Sequence, residues 1–442
     1  MTNKLFFWSL VVALGGFLFG FDTAVISGAE KSIQSYWQLT SFEHGLTMSI
    51  ALFGTVLGAA LGSIPSDKLG RKKTLIFISV LFLVSSVFTA IATNWYVFLL
   101  FRFIGGLGVG ASSVTAPVYI SEISSAKNRG RLVAMFQFNV VLGILVSYLS
   151  NYVIGVTSGD NSWRLMLGIM VIPSVLFFIL LRFVPESPRW LILKRGKIDE
   201  AKKTLAIIDP QGYEQELETI LQHDNKTKGQ KKENLFSGKY KLPIFLAVTF
   251  AVFNQVSGIN AIIYYAPRIF ESSGLGTNSS LLSSVAIGGV NFLFTLFALT
   301  LIDKFGRRKL MLIGTVGLIA TLGIVAYLFS AKESNPMSIV ILLLAYIAFF
   351  AMSQGACIWV FISEIFPNSV RAKGQTLGSL THWVMATIIT FVFPVISEGL
   401  GEGVIFSFFC VMMVLQLIFV IKYMPETKGQ SLEELENNLV LH

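Results

Sequence analysis

Charge is scarce in this chain: Asp, Glu, Lys and Arg make up 13% of its 442 residues, about half the share of an ordinary soluble domain. With 54% apolar residues it cannot clothe itself in polar surface, which excludes a protein that stays in water. Cysteine is nearly absent. Cys357 and Cys410 both lie in apolar segments, where a thiol behaves as a small hydrophobe, so no disulfide is expected. No nucleophile beside a base, no phosphate-cradling loop after a strand and no metal-ligand cluster stands out, so neither an enzyme nor a metal centre is expected.

What the chain has instead is long apolar runs. About twelve of them, near 5–28, 46–64, 74–93, 96–118, 131–153, 163–184, 243–270, 281–302, 308–330, 337–363, 372–396 and 403–423, are long enough as helices to cross roughly 30 Å of hydrocarbon. The first is too long for a signal-peptide core and reads as a retained span. The net charge is +9, and the basic residues concentrate on alternate loops, at 65–73, 119–131, 303–309 and 371–373. The loops near 29–45, 154–162 and 396–402 hold almost none. This asymmetry speaks against nucleic acid and puts both termini in the cytoplasm.

The two halves of the chain echo each other. Asp67-Lys-Leu-Gly-Arg-Lys-Lys73 returns 236 residues later as Asp303-Lys-Phe-Gly-Arg-Arg-Lys309, and Ile120-Ser-Glu-Ile123 returns after 242 residues as Ile362-Ser-Glu-Ile365. Two similar offsets imply parallel repeats of six spans each. Residues 185–240, rich in Lys, Glu, Gln and Asp, read as a soluble linker of short amphipathic helices. Gly54, Gly58, Gly62, Gly106 and Gly110 read as close-packing positions. Gly258 and Gly355, with polar neighbours at mid-span, suggest broken helices that line a cavity.

Two ionisable side chains stand well inside spans, Asp22 and Arg102, each about six residues from the outer end of its helix. At 1.5 Å per residue both lie ~9 Å deep, so they can pair. The pair is either a static bridge or a proton-accepting carboxylate whose protonation frees the arginine. Gln137, Asn254, Gln255, Asn260 and Asn291 lie near the midplane, where an unsatisfied amide is costly. They are interhelical bonds or the ligands of a polar guest, and carboxamides suit sugar hydroxyls. On a regular helix Gln255 and Asn260 point about 140° apart, so a break near Gly258 would help both face one site. Phe19, Trp359 and Trp383 could cover the C–H faces of a sugar or simply pack. His382 could bond a ligand, titrate or pack. Glu122 with Arg129, and Glu364 with Arg371, lie beside Asp67, Arg71, Asp303 and Arg307 at cytoplasmic helix ends, where a charge network can latch an inner gate.

Together these residues resemble the sugar porters of the major facilitator superfamily, which include bacterial xylose:proton symporters and animal facilitative glucose transporters. The resemblance spans nearly the whole chain. It rests on Gly20-Phe-Asp-Thr23, the paired Gly-Arg loops, Arg102-Phe-Ile-Gly-Gly106, Pro185-Glu-Ser-Pro-Arg189, Gln255-Val-Ser-Gly-Ile-Asn260, Tyr264-Tyr265 and Pro425-Glu-Thr-Lys-Gly429. It implies an all-α membrane protein with twelve transmembrane helices in two six-helix halves and a small cytoplasmic helical linker. The expected divisions are 1–184, 185–240, 241–424 and a tail at 425–442. By motif position, Gln137, Gln255, Asn260, Asn291, Trp359 and Trp383 match sugar contacts, and Asp22 with Arg102 matches the proton-coupling pair. Asn254 and His382 depart from the commonest family residues, which bears on the identity of the sugar.

The expected function is a proton-coupled symporter for a hexose or pentose, working by alternating access. Its partners are a monosaccharide, protons and the lipid bilayer, without nucleic acid. It needs no cofactor beyond the proton gradient and is expected as a monomer in the inner membrane. A uniporter of the same fold is the alternative, because facilitative members carry Asn where this chain has Asp22. A sugar sensor is a further alternative, although the short tail after Pro425 leaves little room for a signalling extension.

Overall fold

The computed structural model describes the chain except residues 1, 125–127, 160, 228–233, 332–334, 368, 431–434, 436–438 and 440–442, and the side chains at 223–227, 299 and 303. Among the described residues every regular element is helical. Twelve helices among the described residues are long and apolar enough to cross a membrane. The first six are Asn3–Trp37, Ser41–Leu61, Arg71–Ile91, Trp95–Ile123, Arg129–Thr157 and Ser162–Phe183. The other six are Gly238–Ser272, Thr277–Ile302, Arg307–Ala331, Pro336–Glu364, Arg371–Leu400 and Glu402–Lys422. Each apolar run of the sequence is met by one of them.

The largest boundary difference is at the first span, which continues past 28 to Trp37, where the sequence reads as loop. The polar residues there find partners, so the helix has no reason to end. It stops at Gln38, whose φ of 50° leaves the helical region. The second span then starts on a reciprocal cap. The Glu43 carboxylate accepts from the Thr40 amide at 2.9 Å, and the Thr40 hydroxyl accepts from the Glu43 amide at 3.3 Å, which satisfies orphan donors at both residues.

By packing, the chain forms two units. One comprises Met1–Thr23, Phe53–Ser147 and Arg164–Lys231, the other Ala24–Leu52, Tyr148–Trp163 and Lys232–His442. In the first unit the second and fourth spans touch backbone to backbone. A Cβ at Gly54 would sit 2.2 Å from the Phe103 carbonyl oxygen, and one at Gly58 2.3 Å from that of Leu107. Only glycine permits this approach, and it substitutes for the missing hydrophobic drive between helices in lipid. Polar residues of the third span satisfy themselves locally: Ser79 and Ser86 donate to carbonyls three residues back.

The linker's three helices belong to the first unit, whereas Leu235 and Tyr240 at its far end pack in the second. The helices Pro188–Arg195, Ile198–Ile208 and Tyr213–Thr227 bury Trp190, Leu191, Ile192, Ala201, Leu205 and Ile220 in a core of their own. Ser187 caps the first of them by accepting from the Trp190 amide at 3.2 Å, with Pro188 in the first turn where it loses no hydrogen bond.

In the second unit two spans are interrupted. The seventh breaks between Lys241–Val256 and Ile259–Ser272 at Gly258, whose φ of 90° is left-handed. The tenth holds a π-helical turn over Ala351–Gly355 between Pro336–Phe350 and Ala356–Glu364. Both interruptions free backbone groups at membrane depth, and polar partners take them up: the Tyr346 hydroxyl donates to the Ser257 carbonyl at 2.9 Å.

Gly258→Ala should lower the melting temperature of the purified protein, with a cost of about 1–3 kcal/mol. Its Cβ would lie 2.4 Å from the Phe409 ring, at a backbone angle that only glycine adopts freely. An unchanged thermal unfolding curve would show that the break does not depend on this residue.

Candidate functional site

Three constellations of polar side chains stand out, and the third has one copy in each unit. The first is deep in the first unit, where Arg102 donates through Nη1 to Asp22 Oδ1 at 2.6 Å. Asp22 is 3% exposed and Arg102 2%. The depth estimated from helical rise matches this meeting. The guanidinium is incompletely matched, because its Nε and Nη2 are buried without an acceptor. A buried pair with unmet donors is held by one strong charge-assisted bond and little else. Phe19 lies one turn before Asp22 on the same helix, and Gln137 is half-buried in the fifth span.

The second constellation is a chain of carboxamides around the break in the seventh span. Asn260 Nδ2 donates to Gln255 Oε1 at 2.6 Å, and Gln255 Nε2 donates to Asn254 Oδ1 at 2.9 Å. Gln255 Nε2 also lies 3.2 Å from His382 Nδ1. Asn254 Nδ2 faces the Gln354 carbonyl at 3.5 Å. The left-handed turn at Gly258 is what lets Gln255 and Asn260 meet, since a continuous helix would point them apart. The His382 ring sits between two indoles, with centroids 4.9 Å from both Trp359 and Trp383. Trp383 is buried, whereas Trp359 is 37% exposed and offers a ring face. Asn291 is buried in the eighth span, outside this hydrogen-bonded chain among the described residues. The whole set alternates donors and acceptors beside flat apolar rings, which is the chemistry of a sugar's hydroxyls and C–H faces.

The third constellation is at the helix ends that carry the duplicated Gly-Arg turns and occurs twice. Arg71 forks onto Glu122 with two bonds of 2.9 Å, and its Nη1 reaches the Ser66 carbonyl and Asp67, each at 2.9 Å. In the other repeat Arg307 donates to Glu364 at 2.8 Å and to the Ile302 carbonyl at 3.3 Å. The expected partners are therefore corrected: Glu122 pairs with Arg71 and not with Arg129, and Glu364 pairs with Arg307 and not with Arg371. Arg371 donates to the Phe366 carbonyl at 3.2 Å. The cause is helix geometry, because the Gly-Arg turns deliver Arg71 and Arg307 to the neighbouring span ends. The Asp303 side chain lies outside the described residues.

Two glutamates without an assigned sequence role complete these clamps. Glu186 accepts from the Arg71 and Lys72 amides at 2.9 and 3.1 Å, and Glu426 accepts from those of Arg307 and Arg308 at the same two distances. Each carboxylate caps a helix N-terminus next to a glycine of positive φ, Gly70 at 104° and Gly306 at 86°. Burial raises the Glu186 carboxyl above its ordinary pKa, against the opposing pull of the Ser187, Lys72 and Arg71 amides. The signal was present in the sequence as a Pro-Glu pair after the last span of each half, at Pro185 and Pro425. A further buried ionic group, Glu30 with His44 and Arg268, was hidden by the short boundaries drawn for the first two spans.

Comparison with known proteins agrees with this architecture. The family described as "Sugar (and other) transporter" matches residues 8–439. The chain is 37% identical to the glucose transporter GlcP of Staphylococcus epidermidis over 97% of its own length and 95% of that protein. It is 36% identical to the D-xylose-proton symporter of Escherichia coli, covering 98% and 96% of the two chains. The inward-open structure of the xylose transporter XylE from Escherichia coli superposes with a TM-score of 0.87 at 33% identity, over 98% of this chain and all of that one. The chain belongs to the sugar porter family of the major facilitator superfamily.

Proposed function

We propose that this protein is a proton-coupled monosaccharide symporter that works by alternating access. The observation that carries the reading is the Asp22–Arg102 bond at 2.6 Å inside the first unit. Protonation of Asp22 removes the charge that holds Arg102. The guanidinium, already short of acceptors, must then seek others, so one proton changes the bonding between the first and fourth spans. A facilitative carrier has no need of an ionisable group there. The relatives named as a glucose transporter and a xylose-proton symporter support a sugar as cargo.

In this proposal the sugar hydroxyls exchange bonds with Asn254, Gln255, Asn260 and Asn291, and Trp359 and Trp383 cover its C–H faces. His382 bonds the ligand or orients Gln255. Phe19 and Gln137 are the first unit's own candidates for sugar contact. The clamps at Arg71 and Arg307 act as inner-gate latches with Asp67, Glu122, Arg129, Asp303, Glu364 and Arg371 around them. The repeats at 1–184 and 241–424, joined by 185–240 and followed by the tail at 425–442, are the moving halves. The proposed setting is the inner membrane with both termini in the cytoplasm, and the working form is a monomer driven by the proton gradient alone.

In proteoliposomes, the wild type should accumulate sugar against its gradient only when a pH gradient is imposed. Asp22→Asn should keep counterflow exchange and lose this accumulation. Undiminished uphill uptake by the variant would overturn the assignment of Asp22, and absence of uphill uptake by the wild type would make the protein a uniporter.

Gln255→Ala removes the hub of the carboxamide chain. Sugar affinity measured by isothermal titration should fall on the order of tenfold to a hundredfold. Affinity equal to the wild type would exclude the hub from sugar recognition.

A further inference from the structure

The extended end of the first span places an acid where hydrocarbon or packed protein surrounds it. Glu30 is 1% exposed, and His44, near the start of the second span, is fully buried. Arg268, from the helix Ile259–Ser272, closes on both. Its Nε donates to Glu30 Oε1 at 2.9 Å, and its Nη2 lies 2.7 Å from Glu30 Oε2. The second Glu30 oxygen also meets His44 Nε2 at 2.8 Å. Arg268 further donates to Gln34 Oε1, and Lys31 pairs with Glu271 alongside. Three helices of the second unit are thus tied by one carboxylate.

The arrangement has room for one imidazole proton. With Nε2–H donated to Glu30, a second proton must sit on Nδ1, and that atom is buried without any acceptor. The carboxylate is already neutralised by Arg268, so an imidazolium would also leave an uncompensated positive charge on a ring that is fully buried. The other ionisable groups facing this cluster do not relieve it. Glu271 is taken by Lys31 and Glu43 by Thr40, and the Tyr265 ring stands edge-on to the imidazole while its hydroxyl donates to the Thr390 carbonyl. The surroundings cannot easily give way. A Cβ at Gly45 would lie 2.2 Å from the Phe391 carbonyl oxygen, and Tyr148 fastens the fifth span to the Ile263 carbonyl at 2.7 Å.

We propose that Glu30, His44 and Arg268 form a second proton-binding site, separate from Asp22. It locks the outer ends of the first, second and seventh spans while His44 is neutral and releases them when His44 takes a second proton. The word outer rests on the proposed orientation, which puts these ends away from the cytoplasmic clamps. External acid then favours the state in which the outer path opens, which is the state an importer needs when a proton and a sugar are to enter together.

Hydrogen exchange of the full-length protein in detergent, corrected for the intrinsic pH dependence of amide exchange, tests the lock irrespective of sidedness. In the wild type, opening of the segments 24–52 and 259–272 should increase by about tenfold between pH 8 and pH 5, the size of a typical coupling between linked sites. His44→Gln keeps a donor to Glu30 but cannot become charged, and it should remain closed across the range. Glu30→Gln releases Arg268 and should be open throughout. Asp22→Asn should show the same fold-increase relative to its own opening at pH 8, whatever its starting level. A wild type without a pH response, or a response that persists in His44→Gln or disappears in Asp22→Asn, overturns the proposal. Loss of uphill transport in Asp22→Asn is read separately, so failure of either idea is distinguishable from failure of the other.

Discussion

Hydrocarbon offers a charge no partner, so every ionic group inside this protein must be answered by another part of the same chain. The Asp22–Arg102 bond is the clearest consequence, because each of the two would be prohibitive alone. The answer is incomplete, with two guanidinium nitrogens unmatched. An over-satisfied pair would be a rivet, whereas this one rests on a single bond. The same demand shapes the backbone. The left-handed turn at Gly258 and the π turn before Ala356 leave groups unbonded that a continuous helix would pair, and side chains such as Tyr346 take them up. The carboxamide chain of the second unit is therefore built where regular structure fails.

The two clamps show how duplication turns one local solution into a repeated device. In each repeat a glycine of positive φ starts a span, a carboxylate from a later Pro-Glu segment caps its first amides, and an arginine forks or reaches to a glutamate at a neighbouring helix end. The glycine is required because the cap occupies the space of a side chain: a Cβ at Gly70 would meet Glu186 at 2.3 Å, and one at Gly306 would meet Glu426 at 2.5 Å. These pairs are largely covered, with Arg71 and Arg307 each 8% exposed. Their effect comes from binding three segments at a single arginine, so that none can shift without the others.

The sequence is explicit wherever one dimension suffices. Run length predicts each of the twelve spans, and rise per residue brings Asp22 and Arg102 to one depth. The 140° mismatch of Gln255 and Asn260 predicts a break that Gly258 supplies. It is silent where two helices must be known together. Glu122 stands closer in sequence to Arg129 than to Arg71, yet the turn after Gly70 delivers Arg71 to it. Glu30 and His44 read as loop residues beyond the ends of apolar runs, because nothing nearby in sequence shows that Arg268, more than two hundred residues away, will neutralise them. Charged residues that end a hydropathy run mark the end of a helix only when they lack a partner.

The soluble linker has its own small core, and it is moored to the first unit. The Trp190 indole donates to the Asp67 carbonyl at 2.8 Å, and Arg195 reaches the Lys68 carbonyl at 3.2 Å. A rigid body attached in this way moves with the loop between the second and third spans. A fluorophore or a nanobody epitope installed on the face of Ile198–Ile208 would thus serve as a tracer for one unit alone, without burdening the helices that handle cargo.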